Sequence, residues 1–344
     1  MTRKTCVQGL ILTPTGLTKG FIVYTNTGIS EWGVGDCRHP ANQTGLITPL
    51  FVNCHTHIGD SFLWSRRDTF PRSVDELVAP PDGLKHKALE NATEQDILRG
   101  MNASLQRMHK TGTEMFWDFR ENGVHGVSLI RRCLQTYRMQ SCILARPSGL
   151  EYNPEEIDVL LHQSEGIGIS GMQEWSVDDL HAIRRHTKQK KKLFALHASE
   201  IKREDCTTLI SLQPDFVVHM TQGTHQDFIL LKDHNIPVVI CPQSNRFFGL
   251  HPPLKQMKKA GVTLLLGTDN AMLVQPDIIN EVSMLLQTGV FSLEEVLQMI
   301  TYAPRKALNS KPCIHFPTST SSFVILEPQS LHIKKVVRFE QDGT

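Results

Sequence analysis

The chain reads as an α/β protein whose main domain is a (β/α)8 TIM barrel. Two observations carry this reading. Through the middle of the chain, short apolar strand-like runs alternate with helix-like ones, as in βα units around a parallel sheet. Three of those runs end in polar, metal-type residues: His55-Thr56-His57, His197-Ala198-Ser199-Glu200 and Gly267-Thr268-Asp269. Barrel enzymes gather such residues on one rim, at the C-terminal ends of the strands.

Up to residue 46 the chain reads as short strands, with turns at 13–16, 25–28 and 33–35. Eight barrel strands are expected near 47–54, 113–118, 141–146, 167–172, 193–197, 215–219, 236–241 and 262–268. Helix starts are marked by Thr93, by Asn153-Pro154, by Ser176, and by Ser292 with Glu295 in a capping-box pattern. The segment from Ile58 to Asn91 is too long for an ordinary βα loop. It carries Arg66, Arg67, Arg72 and three aromatics, and is expected to form a lid or substrate wall over the rim, a disordered insertion being the alternative. The tail is strand-like again at 321–326 and 333–339.

With 344 residues, 40% of them hydrophobic, the chain suffices for one large domain and a small one. A net charge of +1 supplies no field for nucleic acid or an anionic membrane surface. The basic run 188–192 most simply covers the solvated end of a helix. No apolar run approaches the ~20 residues of a membrane span. Eight cysteines (6, 37, 54, 133, 142, 206, 241 and 313) include no Cys-x-x-Cys pair, which leaves reduced thiols in a cytoplasmic protein as the expectation.

Alternate residues of a strand share a face, so His55 and His57 can address one ion. Sixteen histidines make such a pair weak by itself; its coincidence with other histidines and a carboxylate at strand ends makes it strong. His55, His57, His197 and Asp269 form a nitrogen and oxygen set suited to one divalent transition metal. A lone histidine ending a buried strand is usually a hydrogen-bonded structural group, but His197 has Glu200 three residues on. A carboxylate there can take a proton from water and pass it to a leaving nitrogen. Asp269 ends so apolar a run that an unpaired carboxylate would be costly without a cation or good hydrogen bonds. His219 ends another strand; it either ligates or orients the attacking water, and the second role fits better. The polar turn Cys241-Pro242-Gln243-Ser244-Asn245 either offers amides to a substrate or buttresses the site, and Asp118 is either a group behind the ligands or a helix cap. Arg66, Arg67, Gln173 and Asn245 are the candidate contacts to a small-molecule substrate.

Together these runs resemble the amidohydrolase superfamily over nearly the whole chain. His197-x-x-Glu200 and Cys241-Pro-x-Ser-Asn245 narrow the likeness to the branch of cytosine deaminase, guanine deaminase and the chlorohydrolases. The resemblance implies a β-sandwich built from both chain ends, residues 1–46 and 309–344, beside a barrel over 47–308. It implies one Zn2+ or Fe2+, zinc being favoured, held by His55, His57, His197 and Asp269. Glu200 would be the proton shuttle, and His219 would polarise the attacking water or the substrate. Binuclear relatives bridge two metals with a strand-four lysine, and 166–174 offers none. The expected function is therefore a mononuclear aminohydrolase that releases ammonia from a nitrogen heterocycle by attack of metal-activated hydroxide. A binuclear amidase or lactonase bridged by Glu174 or Glu151 is the alternative, and a non-catalytic scaffold a third. Dimers are common in the resembled family, and no residue here locates an interface.

Overall fold

The strands form where β-branched and aromatic residues alternate or run together between turn residues. The computed structural model describes residues 4–137, 139–308 and 316–339, so residues 1–3, 309–315 and 340–344 of the expected terminal domain, with Cys313, lie outside the described residues. The chain opens with β1 (Thr5–Thr13), β2 (Gly16–Tyr24), β3 (Ile29–Val34) and β4 (Gln43–Pro49). The middle holds β5 (Phe51–His57), β6 (Thr113–Arg120), β7 (Gln140–Ala145), β8 (Gly166–Ile169) and β9 (Leu193–Ala198). Then come β10 (Phe216–His219), β11 (Val238–Ile240), β12 (Leu264–Leu266) and β13 (Asp269–Asn270), and the end supplies β14 (Phe323–Leu326) and β15 (Ile333–Val337).

Both chain ends build one six-stranded sheet, ordered β15-β14-β4-β1-β2-β3 and antiparallel except where β1 meets β4. At that parallel pair a Cβ on Gly9 would fall 1.9 Å from the Gly45 carbonyl oxygen, so only glycine lets the two backbones approach. Val7, Ile22, Ile47, Phe323 and Ile325 make a small core on one face of this sheet.

The other nine strands are parallel and ordered β12-β11-β10-β9-β8-β7-β6-β5-β13. The run from 264 to 270 closes them into a barrel: its first half pairs with β11 and its second half with β5. Gly267 sits at the crossing, where an added Cβ would lie 2.6 Å from the His55 Cβ. The alternation along β9 shows the layering. Ala195 belongs to the barrel's interior core with Phe119 and Val218, whereas Phe194, Leu196 and Ala198 pack outward in the larger core shared with the helices.

The expected helix starts hold. Thr93, Asn153, Ser176 and Ser292 each accept a backbone N–H in the first turn, and Ser292 completes a capping box with Glu295. The first barrel strand needs correcting. The run expected at 47–54 is two strands: β4 belongs to the terminal sheet, and β5 starts the barrel after Leu50 alone. Continuous burial on both sides of that break hides it from the hydrophobic pattern. Residues 58–91 fold as a 3-10 helix (Ile58–Thr69) and two short α-helices (Val74–Leu77 and Leu84–Asn91). They are pinned by Leu63, Phe70 and Leu77 against Phe247, Met272 and Leu273. Among the described residues no helix is long and apolar enough to cross a membrane.

Candidate metal centre and active site

The ends of β5, β9 and β10 and the start of β13 meet at one point on the rim. His55, His197, His219 and Asp269 each bring a ligand atom within 4.8 Å of the others. His57 joins them, its Nε2 3.3 Å from His197 Nε2 and 3.5 Å from Asp269 Oδ1. His55 Nε2 lies 3.1 Å from His197 Nε2 and 3.3 Å from Asp269 Oδ1. Atoms bound to one tetrahedral ion at 2.0–2.1 Å sit about 3.3 Å apart, so this spacing is that of a shared cation.

The outward partners fix which nitrogen faces inward. His57 Nδ1 donates to Glu121 Oε1 at 2.7 Å, and His197 Nδ1 donates to the Ile169 carbonyl at 3.0 Å. Both Nε2 lone pairs are thereby turned toward each other, an arrangement that repels unless a cation lies between them. Charge state agrees. Burial lowers the pKa of His55 and His197 and brings His57 down to about 3, with Lys85 adding to the last. Burial alone would raise Asp269, but a hydrogen bond from His55 and the surrounding His219, His55 and His57 hold it well below the usual carboxylate range. Neutral imidazoles and an ionised carboxylate are the forms that bind metal. The residues present fit one divalent ion.

His219 and Asp269 owe their aim to backbone that few side chains adopt, with φ of 74° and 64°. His219 follows inward-facing Val218, so strand alternation alone would turn it outward; the left-handed conformation, continued at Met220, brings it back to the rim. Its Nδ1 meets the Asn245 side-chain amide at 3.1 Å, and its Nε2 lies 3.5 Å from Glu200 Oε1. Glu200 lines a cavity of about 500 Å³ together with His57, His197, His219 and Asp269. Burial first, and then the Asp269 charge, push its pKa up to about 8. A carboxylate so placed can hold or release a proton near neutral pH.

The other expected positions divide. Gln173 lines the cavity. Asn245 is fully buried behind His219, so the turn 241–245 buttresses the site at that residue instead of touching a substrate. Ser244 does the same for Asp269 by donating to its Oδ2. Arg66 is exposed and does not line the cavity. Its neighbour Arg67 takes the inward direction on the 3-10 helix, over the Phe247 ring and onto the Leu273 carbonyl, which leaves Arg66 facing water. Asp118 is a group behind the ligands, accepting from Thr56 Oγ1 and the Ile58 N–H just after His57. Glu174 lines the cavity but is engaged by Ser170 and Arg146, and Glu151 is exposed.

Sequence reasoning missed Glu121 and Lys85. Burial would raise the Glu121 carboxyl, yet Lys85, His57 and Arg120 together hold it well below the usual range. The charged pair Arg120-Glu121 at the end of an apolar strand was a readable signal; Lys85, inside a long insertion, offered none.

The sequence profile of the Amidohydrolase family matches residues 46–312. An uncharacterized protein of Methanocaldococcus jannaschii is 33% identical over 88% of this chain and 80% of its own length. A 5-methylthioadenosine/S-adenosylhomocysteine deaminase of Caldicellulosiruptor saccharolyticus is 25% identical over 75% of this chain and 65% of its own. Among solved structures, the aminofutalosine deaminase of Helicobacter pylori, in complex with methylthio-coformycin, superposes with a TM-score of 0.70. It is 14% identical and is matched over 96% of this chain and 97% of its own, a likeness of fold.

Proposed function

The chain belongs to the amidohydrolase family, and we propose that within it the protein is a mononuclear aminohydrolase that releases ammonia from a nitrogen heterocycle. The observation that carries this reading is the partly buried Glu200 carboxyl, on the same cavity as His57, His197 and Asp269 of the donor set and 3.5 Å from His219. The deaminase named in Caldicellulosiruptor saccharolyticus supports the same choice.

His55, His57, His197 and Asp269 would hold the ion, an imidazole and carboxylate set that suits zinc, the first choice here, and iron(II) as the alternative. Such an ion supplies Lewis-acid activation of water at neutral pH. Glu200 takes the proton from the attacking water, being a cavity carboxyl outside the proposed ligand set and 3.5 Å from His219. His219 holds its ring toward the reacting carbon, braced from behind by Asn245, and stabilises the charge that develops there. Glu200 then returns the proton to the exocyclic nitrogen, and ammonia leaves. Gln173, which also lines the cavity, is the candidate to hydrogen-bond the ring. The segment 58–91 contributes the apolar residues Val74, Val78 and Pro80 to the lining of this cavity.

The test is a screen of amino-substituted purines, pyrimidines and triazines for ammonia release by zinc-loaded protein. Release from one class, abolished in Glu200→Gln, is the expected result. Hydrolysis of amides or lactones with no ammonia from any heterocycle would overturn the reading.

A further inference from the structure

Lys85 is a charged side chain only 3% exposed, and it comes from the covering helix Leu84–Asn91, not from a barrel strand. Its ammonium has three donors and faces three acceptors: Glu121 Oε1 at 2.5 Å, Asn270 Oδ1 at 2.8 Å and Asp60 Oδ2 at 3.9 Å. Glu121 and Asn270 engage it at hydrogen-bond distance, with Asp60 further off, and it also lines the cavity.

Two of those acceptors lead directly to proposed ligands. Glu121 Oε1 also accepts from His57 Nδ1, while its Oε2 is taken by Arg120. Asn270 Nδ2 donates to Asp269 Oδ1 at 2.9 Å, the same oxygen that approaches His55 and His57. The chemistry of the ammonium decides the orientation of the second arm. It can only donate, so it must hold the oxygen of the Asn270 amide, and the NH2 is then the end presented to Asp269. Reversed, the amide would place its oxygen against the carboxylate and its NH2 against the ammonium.

Resting on the ligand set assigned above, we propose that Lys85 is a positioning residue for the metal centre. It aims His57 through Glu121 and Asp269 through Asn270 at once, so that metal retention depends on the seating of the covering helix. Partners behind metal ligands are typically worth 10–100-fold in affinity, and Lys85 serves two ligands with one charge.

The experiment is zinc affinity of the full-length protein by chelator competition at fixed pH, with cobalt(II) spectra as a second readout. Lys85→Met is expected to weaken zinc binding by about 10–100-fold and to shift the cobalt absorption bands. Asn270→Ser, which keeps the ammonium and cuts one arm, should weaken it less. In the double variant, Asn270→Ser should add little to Lys85→Met, since the arm has already lost its anchor. Zinc affinity within twofold of wild type in Lys85→Met, with unchanged cobalt bands, overturns the proposal while leaving the ligand set standing. So does a lower melting temperature of the metal-free variant with unchanged zinc affinity, the mark of a purely structural lysine. A wild-type protein that binds neither metal overturns the ligand set and this proposal together.

Discussion

Glu281 offers a sharp test of the electrostatics around the site. It is fully buried on the helix Ile278–Gln287, and both carboxyl oxygens accept from Gln243, one from the backbone N–H and one from the side-chain amide, each at 3.0 Å. Burial outweighs those bonds and, with the Asp269 charge, raises its pKa from 4.5 to about 8. The folded state therefore keeps a proton that the unfolded chain releases, so the stability this group contributes is full below pH 4.5 and is lost as pH rises toward 8. At ~1.4 kcal/mol per pH unit, the loss between pH 5 and pH 7 is about 2–3 kcal/mol. Glu281→Gln removes the titration, and the Gln243 side-chain amide can reverse to match the new one. Urea unfolding of chelator-treated wild type and variant at both pH values isolates this contribution, because all other titrating groups cancel in the difference. The variant should gain about 2–3 kcal/mol on the wild type between pH 5 and pH 7. A stability difference that stays constant with pH would refute the reasoning, since it would mean that Glu281 is ionised in the fold throughout.

Three further outcomes are expected. Glu200→Gln should keep its metal and lose about 10²–10⁴-fold in kcat, and turnover near wild type would remove the proton shuttle from the mechanism. Mass spectrometry of the native protein should find one metal equivalent, absent from His55→Ala and Asp269→Ala; two equivalents would point to a binuclear centre. Gly267→Ala puts a methyl 2.6–2.9 Å from the Cβ, N and O atoms of His55, which should cost about 1–3 kcal/mol in urea unfolding and displace His55 enough to weaken zinc binding. A neutral Gly267→Ala would show that the crossing of the two strands has slack.

The barrel strands and helix starts were legible because they rest on local chemistry: apolar runs ending at polar residues, and capping side chains at fixed offsets. The donor residues were legible for the same reason, since a strand end marks the rim of any such barrel. What failed depends on the path of the chain. Burial does not lapse between Thr48 and Phe51, so the passage from one sheet to another left no trace in the pattern. Arg66 and Arg67 are equally basic, and only the packing of Phe247 and the Leu273 carbonyl decides which turns inward. Asn245 was visible as a rim residue, but its place behind His219 follows from the helical turn Pro242–Phe247 that carries it. Lys85 reaches Asn270 across 185 positions of sequence, and no local signal spans that distance.

The closure of the barrel by residues 264–270 sets the order in which the protein can be completed on the ribosome. Asn53, beside His55, bonds to Thr268, beside Asp269, across 215 positions. At a synthesis rate of 5–20 residues per second, the first histidine pair waits roughly 10–40 s for the carboxylate that completes its ligand set. Until β13 is made, β5 lacks its second parallel neighbour, and in the proposed ligand set His197 joins His55 and His57 before Asp269 does. In the proposed site, the full donor set thus waits on the synthesis of Asp269.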